Sequence, residues 1–145
     1  MKAEAVIRPA RLDDCGGITS LTNELGYPSS EDKVCQILEM VLTHPDHQIY
    51  VAESNNILAG YIHLVCTMRM GSDPFVEIAA LFVHDDFQNR GIGTALIADA
   101  EKWTKQKGFH FLRIRSNIVR KKAHAFFQQH GFENLKTQDV FRKKL

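Results

Sequence analysis

The spacing of apolar residues along the chain predicts four helices. Apolar side chains recur every three or four residues in the segments Leu12–Leu25, Val34–Leu42, Ile92–Lys107 and Ile118–His130. This period places them on one face of a helix, so each segment has a side that a core can bury.

Between the helical segments the pattern changes to the alternation and continuous apolar runs that are typical of strands. These segments are Val6–Pro9, Gln48–Ala52, Ile57–Arg69, Phe75–His84 and Phe109–Arg115. One or two final strands are expected in Phe132–Leu145. The order is β-α-α-β-β-β-α-β-α-β-β, without repeat or linker, and predicts a single mixed α/β domain over residues 1–145.

The composition agrees with one globular domain. The chain has 145 residues, of which 44% are hydrophobic and 24% charged, close to the globular norm. The sequence shows no signal peptide and no apolar run long enough to span a membrane, so we expect a cytoplasmic protein without a membrane partner. Cys15, Cys35 and Cys66 are odd in number and widely spaced, which indicates neither a disulfide framework nor a zinc site. We expect them to be small buried side chains in a reducing compartment.

Charge is unevenly distributed along the chain. From Trp103 to Leu145 there are 11 lysines and arginines against 2 acidic residues, whereas the first 102 residues carry 7 against 15. A basic region of this kind favours phosphate groups, of a nucleotide or of nucleic acid. The sequence contains no nucleic-acid-binding signature, so we expect no nucleic-acid partner.

The segment from Phe82 to Leu96 carries the clearest chemical signal. A buried strand ends in a short loop, and Gly91 and Gly93 then open a helix. Free N–H groups at a helix start attract anions, and glycines let a phosphate approach the backbone. Gln88 and Arg90 can add donors. The segment is neither a P-loop nor a complete dinucleotide fingerprint.

Gln88-x-x-Gly91-x-Gly93 resembles the Q/R-x-x-G-x-G/A signature of the GNAT superfamily of N-acetyltransferases. Three further segments resemble the family in the same order: the opening Ile7–Asp14, the fourth strand Glu77–Val83, and Asn117–Phe132. The resemblance covers essentially the whole chain. It implies a mixed, mostly antiparallel central sheet flanked by about four helices.

The resemblance implies that acetyl-CoA is the co-substrate and that no metal takes part. Strand residues contact its pantetheine arm, the glycine loop holds its pyrophosphate, and a later helix lines the thiol. The residues concerned are Leu81, Phe82, Val83, Gln88, Asn89, Arg90, Gly91, Ile92, Gly93, Thr94, Asn117, Arg120 and Phe126.

The expected reaction is direct attack of a primary amine on acetyl-CoA in a ternary complex. Glu77 is the candidate base because it interrupts an apolar strand, where an unpaired carboxylate is costly to bury. The chain departs from the family at Phe127, where many members have a tyrosine that protonates the departing thiolate. Ser116, Tyr27 and Tyr61 are the candidate substitutes, and the sequence does not choose among them.

The acceptor site implied by the resemblance is shaped by the first two helices and their loop, Glu24–Ser30, with Tyr27 central; Glu77 is the second residue expected to bind the acceptor. The acidic first part of the chain favours a small cationic amine. A protein N-terminus or lysine as acceptor, and a non-catalytic CoA-binding regulator, stay open as alternatives. Family members are often dimers, so a homodimer is also open.

The histidines at positions 44, 47, 63 and 84 are not assigned a role. His44-Pro45-Asp46-His47 has two potential metal ligands, but the proline breaks helical presentation and no third ligand is evident. His63 and His84 stay open as alternative bases near the site, although lone histidines are more often structural or solvated.

Overall fold

The computed structural model describes residues 5–116 and 121–145. They form two compact units, which divide after Ile114. The elements in chain order are β1 (Val6–Pro9), α1 (Cys15–Glu24), α2 (Glu31–Leu42), β2 (His47–Ser54), β3 (Ile57–Thr67), β4 (Phe75–Val83), α3 (Ile92–Gln106), β5 (Leu112–Ile114) and α4 (Lys121–Gln129). No helix in these described ranges is long and apolar enough to cross a membrane.

Strands β1 to β5 form one open sheet in chain order. Neighbours are antiparallel from β1 to β4, and β5 runs parallel to β4. Asn55 and Asn56 both have positive φ angles, 52° and 65°, the geometry of a two-residue hairpin turn between β2 and β3. Five strands and four helices in the described part of the chain confirm the mixed α/β class that the sequence predicts.

Helices cover both faces of the sheet. On one face α1 and α2 bury a cluster of apolar residues: Ala10, Ile18, Leu21, Leu38, Ile49, Val51 and Tyr61. On the other face lies α3, since successive side chains of a strand point to opposite faces and Gly60, next to Tyr61, faces Ile92. A Cβ at Gly60 would lie 2.7 Å from the Phe82 carbonyl oxygen and 3.4 Å from the Ile92 side chain. Glycine here therefore lets α3 start close to the sheet.

A buried ion pair fastens β1 to the start of α1. Arg8 donates two hydrogen bonds to the Asp14 carboxylate, 2.8 and 2.9 Å long, and the Arg11 amide donates a third of 2.7 Å. Burial alone would raise the pKa of Asp14, but these bonds outweigh it and hold the pKa below its ordinary value. Asp14 is therefore a charged residue that the fold has fully partnered.

A disulfide joins Cys15 at the start of α1 to Cys35 in α2, with the two Cα atoms 5.2 Å apart. The expectation that these two cysteines stay reduced is wrong, because the packing of α1 on α2 brings residues 20 positions apart into bonding range. In the chain-entropy model, a disulfide that closes a loop of this size stabilises the folded state by about 3 kcal/mol, because it restricts the unfolded chain. Cys66 is free and half-buried.

The predicted final strands are not formed. Residues 132–145 follow α4 without regular secondary structure, and the apolar side chains of Leu135, Val140 and Phe141 are exposed. A strand needs a neighbour for its backbone hydrogen bonds, and apolar content alone does not supply one. β5 is also shorter than predicted, three residues in place of Phe109–Arg115. The prediction of one domain over residues 1–145 stays a prediction.

We predict that Asp14→Asn lowers the free energy of unfolding by about 2 kcal/mol, because it removes the buried charge that accepts two hydrogen bonds from Arg8 and leaves that half-buried guanidinium with the more distant carboxylate of Glu53, at 3.3 Å. Urea unfolding followed by circular dichroism measures this. The matched control is Asp13→Asn, since Asp13 is 76% exposed and pairs only with the exposed Arg11; its effect should stay within about 0.5 kcal/mol. Equal stability of the two variants would contradict the assignment of Asp14 as the anchor.

Candidate active site

The C-terminal half of β4 extends beyond its neighbour β5. β5 pairs with Val76, Glu77 and Ile78 and goes no further, whereas β3 pairs with β4 up to Val83. Among the described residues, no strand pairs with the β5-side edge of Ala79–Val83. The N–H and C=O groups of that edge are available to a ligand with amide groups of its own.

A β-bulge lies where this free edge begins. On β3, His63 and Leu64 are consecutive, but their partners on β4 are Ala80 and Ile78, so the pairing skips Ala79. A bulge bends the strand and re-aims the side chains around it, and bulges are frequent beside active sites. Glu77 lies just before the bulge, and the predicted cofactor residues Leu81, Phe82 and Val83 lie just after it.

The loop after β4 leads to the start of α3 in a conformation that suits an anion. Asn89 and Gly91 have positive φ angles of 61° and 78°, and Gly91 is the N-cap, so no side chain caps this helix. Ile92 and Gly93 in the first turn have no earlier helical carbonyl to bond, and the N–H groups of a first helical turn carry the positive end of the helix dipole. The predicted pyrophosphate site is therefore a helix start that leaves its cap position open.

Two side chains hold this loop in place. The Gln88 amide donates a 2.9 Å hydrogen bond to the Val83 carbonyl, the last of β4. The Arg90 guanidinium lies 5.3 Å from the centre of the Phe87 ring, which is within cation–π range. Gln88 thus fixes the loop to the strand, a role that the sequence did not indicate.

An aromatic cluster lies on the α1–α2 side of the free half of β4. The Phe82 ring centre is 5.5 Å from that of Tyr27 and 5.3 Å from that of Tyr61. Tyr61 is buried and shares a 2.8 Å hydrogen bond with the Thr22 hydroxyl, whereas Tyr27, in the loop between α1 and α2, is 52% exposed. Burial raises the pKa of Tyr61, although the bond to Thr22 acts against it. Tyr27 therefore presents an aromatic surface to solvent beside β4.

Glu77 lies on the same face of the sheet as this cluster. The register places His47, Val65 and Glu77 in one row across β2, β3 and β4. The next row along that face contains His63, opposite Ala80. Glu77 therefore shares a sheet face with the α1–α2 loop that carries Tyr27.

A second contact connects the two loops around β4. Glu24 at the end of α1 pairs with His84, directly after β4, at 3.2 Å. Both residues border a groove of about 500 Å³ that also includes Asp13, Asp14 and Glu53. The groove is rich in carboxylates, and Glu24 also begins the segment expected to shape the acceptor site.

His47 and His63 form a hydrogen-bonded pair, with Nδ1 of His47 2.9 Å from Nε2 of His63. Burial, and after it the neighbouring His47, lowers the pKa of His63 to about 4. Burial and His44 lower the pKa of His47, against the opposite effect of Asp46. Both imidazoles are therefore neutral near pH 7. The sequence did not indicate this pair, because it depends on the register of β2 against β3.

The other residues predicted for the site belong to the second compact unit or are not among the described residues. Asn117 and Arg120 fall outside the described residues. Phe126 is in α4, where its ring centre is 4.3 Å from that of His130 and 5.8 Å from that of Phe127. The Ser116 hydroxyl is buried and has no hydrogen-bond partner within the described ranges. No group of three or more potential metal ligands occurs among the residues that the structure describes.

The family model for the acetyltransferase (GNAT) domain matches residues 31–134. An uncharacterized N-acetyltransferase of Methanocaldococcus jannaschii is 33% identical over 86 residues, which are 58% of this chain and 38% of that protein. An aminoalkylphosphonate N-acetyltransferase of Salmonella typhimurium is 28% identical over 133 residues, covering 88% of this chain and 84% of that protein. A solved aminoglycoside N-acetyltransferase in complex with CoA has a TM-score of 0.88 at 20% identity, with 100% of this chain and 98% of that chain covered.

These matches define the class of protein as an acetyl-CoA-dependent N-acetyltransferase. The chain belongs to the GNAT acetyltransferase family, and the resemblance seen in Gln88, Gly91 and Gly93 is confirmed. Acetyl-CoA is the co-substrate of that family, and the site fits it: the pantetheine amides match the free edge of β4, and the pyrophosphate matches the uncapped start of α3.

We predict that the free energy of unfolding falls by about 2 kcal/mol between about pH 7 and about pH 5, because the unfolded chain binds protons at His63 that the folded chain does not. The folded pKa of about 4 lies below the ordinary 6.5, so stability is full above about pH 6.5 and is lost as the pH falls toward about 4. Urea unfolding at both pH values measures the loss. The variant His63→Gln should lose much less stability between these two pH values. The control His110→Gln, at an exposed position, should lose as much as the unaltered chain. If His63→Gln loses as much as the unaltered chain, His63 is not the group responsible.

Proposed function

We propose that this chain transfers the acetyl group of acetyl-CoA to a primary amine of a small cationic molecule. The observation that carries the proposal is the free half of β4, which leads directly into an uncapped helix start. This arrangement offers backbone groups to the pantetheine arm and an anion site to the pyrophosphate. Leu81, Val83 and the first turn of α3 are the residues that we assign to this contact.

The acceptor site that we propose lies on the α1–α2 side of β4, between Tyr27, Phe82 and Glu77. Tyr27 and Phe82 provide an aromatic surface, to which cationic ligands are attracted. The neighbouring groove is lined by charged side chains: Asp13, Asp14, Glu24 and Glu53, and one arginine, Arg11. An excess of negative charge raises the local concentration of cations. The names of two similar proteins, an aminoglycoside and an aminoalkylphosphonate N-acetyltransferase, support a small amine as acceptor.

The chemistry requires a free amine. An alkylammonium has a pKa of about 10.4, so about one molecule in a thousand is neutral at pH 7. We assign Glu77 as the base that receives this proton, directly or through a water molecule. The neutral amine nitrogen then forms the new bond to the carbonyl carbon, and the bond from that carbon to sulfur breaks. The nitrogen loses a second proton in this step, which goes to the departing thiolate or to water.

Departure of the thiolate does not demand a strong acid in the protein. A thiol has a pKa of about 8.5, so the thiolate is a tolerable leaving group without a donor. Phe127 cannot donate a proton, and the hydroxyl of Tyr61 is engaged with Thr22. Water, Tyr27 and Ser116 stay open as donors in this proposal.

The proposal leaves two alternative functions open, and the location and the oligomeric state of the protein also remain to be tested. A protein N-terminus or lysine as acceptor, and a regulator that binds CoA without turnover, are tested by the first experiment below. A cytoplasmic location and a homodimer stay predictions, and the Cys15–Cys35 bond argues against a fully reduced state.

The first experiment measures thiol release from acetyl-CoA with a panel of aminoglycosides, polyamines, aminoalkylphosphonates, amino acids and peptide amines. Calorimetric titration with acetyl-CoA runs beside it. We expect binding of acetyl-CoA, and release with the small cationic amines above all, because of the carboxylates near the acceptor loop. Binding without release would favour the regulator, release with peptides alone would favour the protein acceptor, and no binding would refute the site itself.

We predict that Glu77→Gln lowers the turnover number about 100-fold, the usual contribution of a positioned base. The pH–rate profile should also change, because the group that accepts the amine proton is gone. The affinity for acetyl-CoA, measured by calorimetry, should not change. Glu101→Gln, at an exposed position of α3, is the control and should behave as the unaltered chain; unaltered turnover of Glu77→Gln at every pH would remove Glu77 from the reaction.

A further inference from the structure

The His47–His63 pair has no part in the chemistry assigned so far. It lies on the sheet face of Glu77, and its two rings are joined by a 2.9 Å hydrogen bond with centres 5.2 Å apart. A hydrogen bond between two neutral imidazoles requires one ring to donate and the other to accept. Each ring then has a second nitrogen that can take part in a further proton transfer.

The register places this pair beside Glu77 on the same face. Glu77 pairs with Val65, and Val65 pairs with His47, so these residues form one row. His63 lies in the next row, two positions from Val65 on β3. Diagonal neighbours of this kind are about 7 Å apart at the backbone, within reach of long side chains. His63 is therefore placed between Glu77 on one side and His47 on the other.

The other end of the pair leads to the surface. His44, which is exposed at the end of α2, lies edge-on to His47 with ring centres 4.8 Å apart. His47 begins β2, directly after the turn that contains Asp46. A proton on His47 thus has only the α2–β2 turn between it and solvent, whereas His63 lies within the sheet.

We propose that His63 and His47 carry the amine proton from Glu77 to solvent at the α2–β2 turn. Glu77 passes the proton to one nitrogen of His63 while the proton on the other nitrogen of His63 moves to His47. His47 in turn releases a proton to water. No net charge remains on the pair, and Glu77 is again a carboxylate. The proposal rests on the proposed function, since it begins with the proton that Glu77 accepts.

The surroundings of the pair suit such a relay. The titratable groups that face it are His44 and Asp46 from the α2–β2 turn and Glu77 from β4. From α1 and α2 the same face receives apolar side chains: Ile18, Leu21, Val34, Leu38 and Val41. These apolar side chains cannot carry a proton, whereas the two imidazoles can. The low pKa of His63 keeps it neutral, and a neutral imidazole can accept and donate at once.

The test compares His63→Gln and His47→Gln with the control His110→Gln in the acetyl-transfer assay, across about pH 6 to about pH 9. We expect each relay variant to lower turnover about tenfold or more, with unchanged affinity for acetyl-CoA. Added imidazole should restore part of the lost turnover, which a purely structural defect would not allow. Circular dichroism shows whether each variant folds, and His47→Gln, nearer the surface, is the variant to read if His63→Gln does not.

The outcomes separate this relay from the proposed function. Turnover and a pH profile in folded His47→Gln that equal those of the unaltered chain would overturn the relay and leave the enzyme standing. Lower turnover without rescue by imidazole would assign the pair a structural role and also overturn it. An unaltered chain that binds acetyl-CoA but acetylates no amine would overturn the proposed function, and the relay with it.

Discussion

The unequal pairing of β4 is the constraint on which the rest of the structure depends. β3 holds this strand along its whole length, and β5 holds only Val76–Ile78. Buried backbone groups must find partners, so the residues beyond Ile78 are stable only where water or a ligand completes their hydrogen bonds. In the site that we propose, a strand fixed on one edge and open on the other offers the flexible thioester arm a rigid surface, so little of the binding free energy is lost in ordering the protein.

In the site that we propose, the same strand serves both substrates, because its two faces and its end have different neighbours. The end of β4 continues through the loop held by Gln88 into α3, and Gly60 lets that helix begin close to the sheet. The α1–α2 face carries Tyr27, packed on Phe82. α1 in turn is fastened to β1 by Asp14 and to α2 by the disulfide of Cys15. The acceptor loop is thus anchored at both of its helices.

Much of the fold and of the cofactor site follows from the sequence, because both depend on local patterns. A short local pattern is enough to predict some elements: the apolar run of β4 predicts a buried strand, and the glycines before α3 predict a helix start. The acceptor side could not be predicted in this way. The contacts of Tyr61 with Phe82 and of His47 with His63 depend on strand register, which the pattern of a single strand does not determine. The Cys15–Cys35 bond likewise depends on helix packing. The final strands were predicted from apolar content alone, and no neighbouring strand pairs with Phe132–Leu145 within the described residues.

The placement of polar groups on the α1–α2 face of the sheet separates two tasks that amine acetylation imposes. The positive charge of the acceptor must be attracted before the reaction, and a proton must then be removed from the nitrogen before it can attack. In the function that we propose, the carboxylates of the groove, such as the exposed Glu24, attract the cation. Glu77, the proposed base, is half-buried in the row of Val65. A site that kept both functions in one carboxylate would hold the ammonium form by a salt bridge and so oppose its own deprotonation. Distributing them between the groove and the strand avoids that conflict.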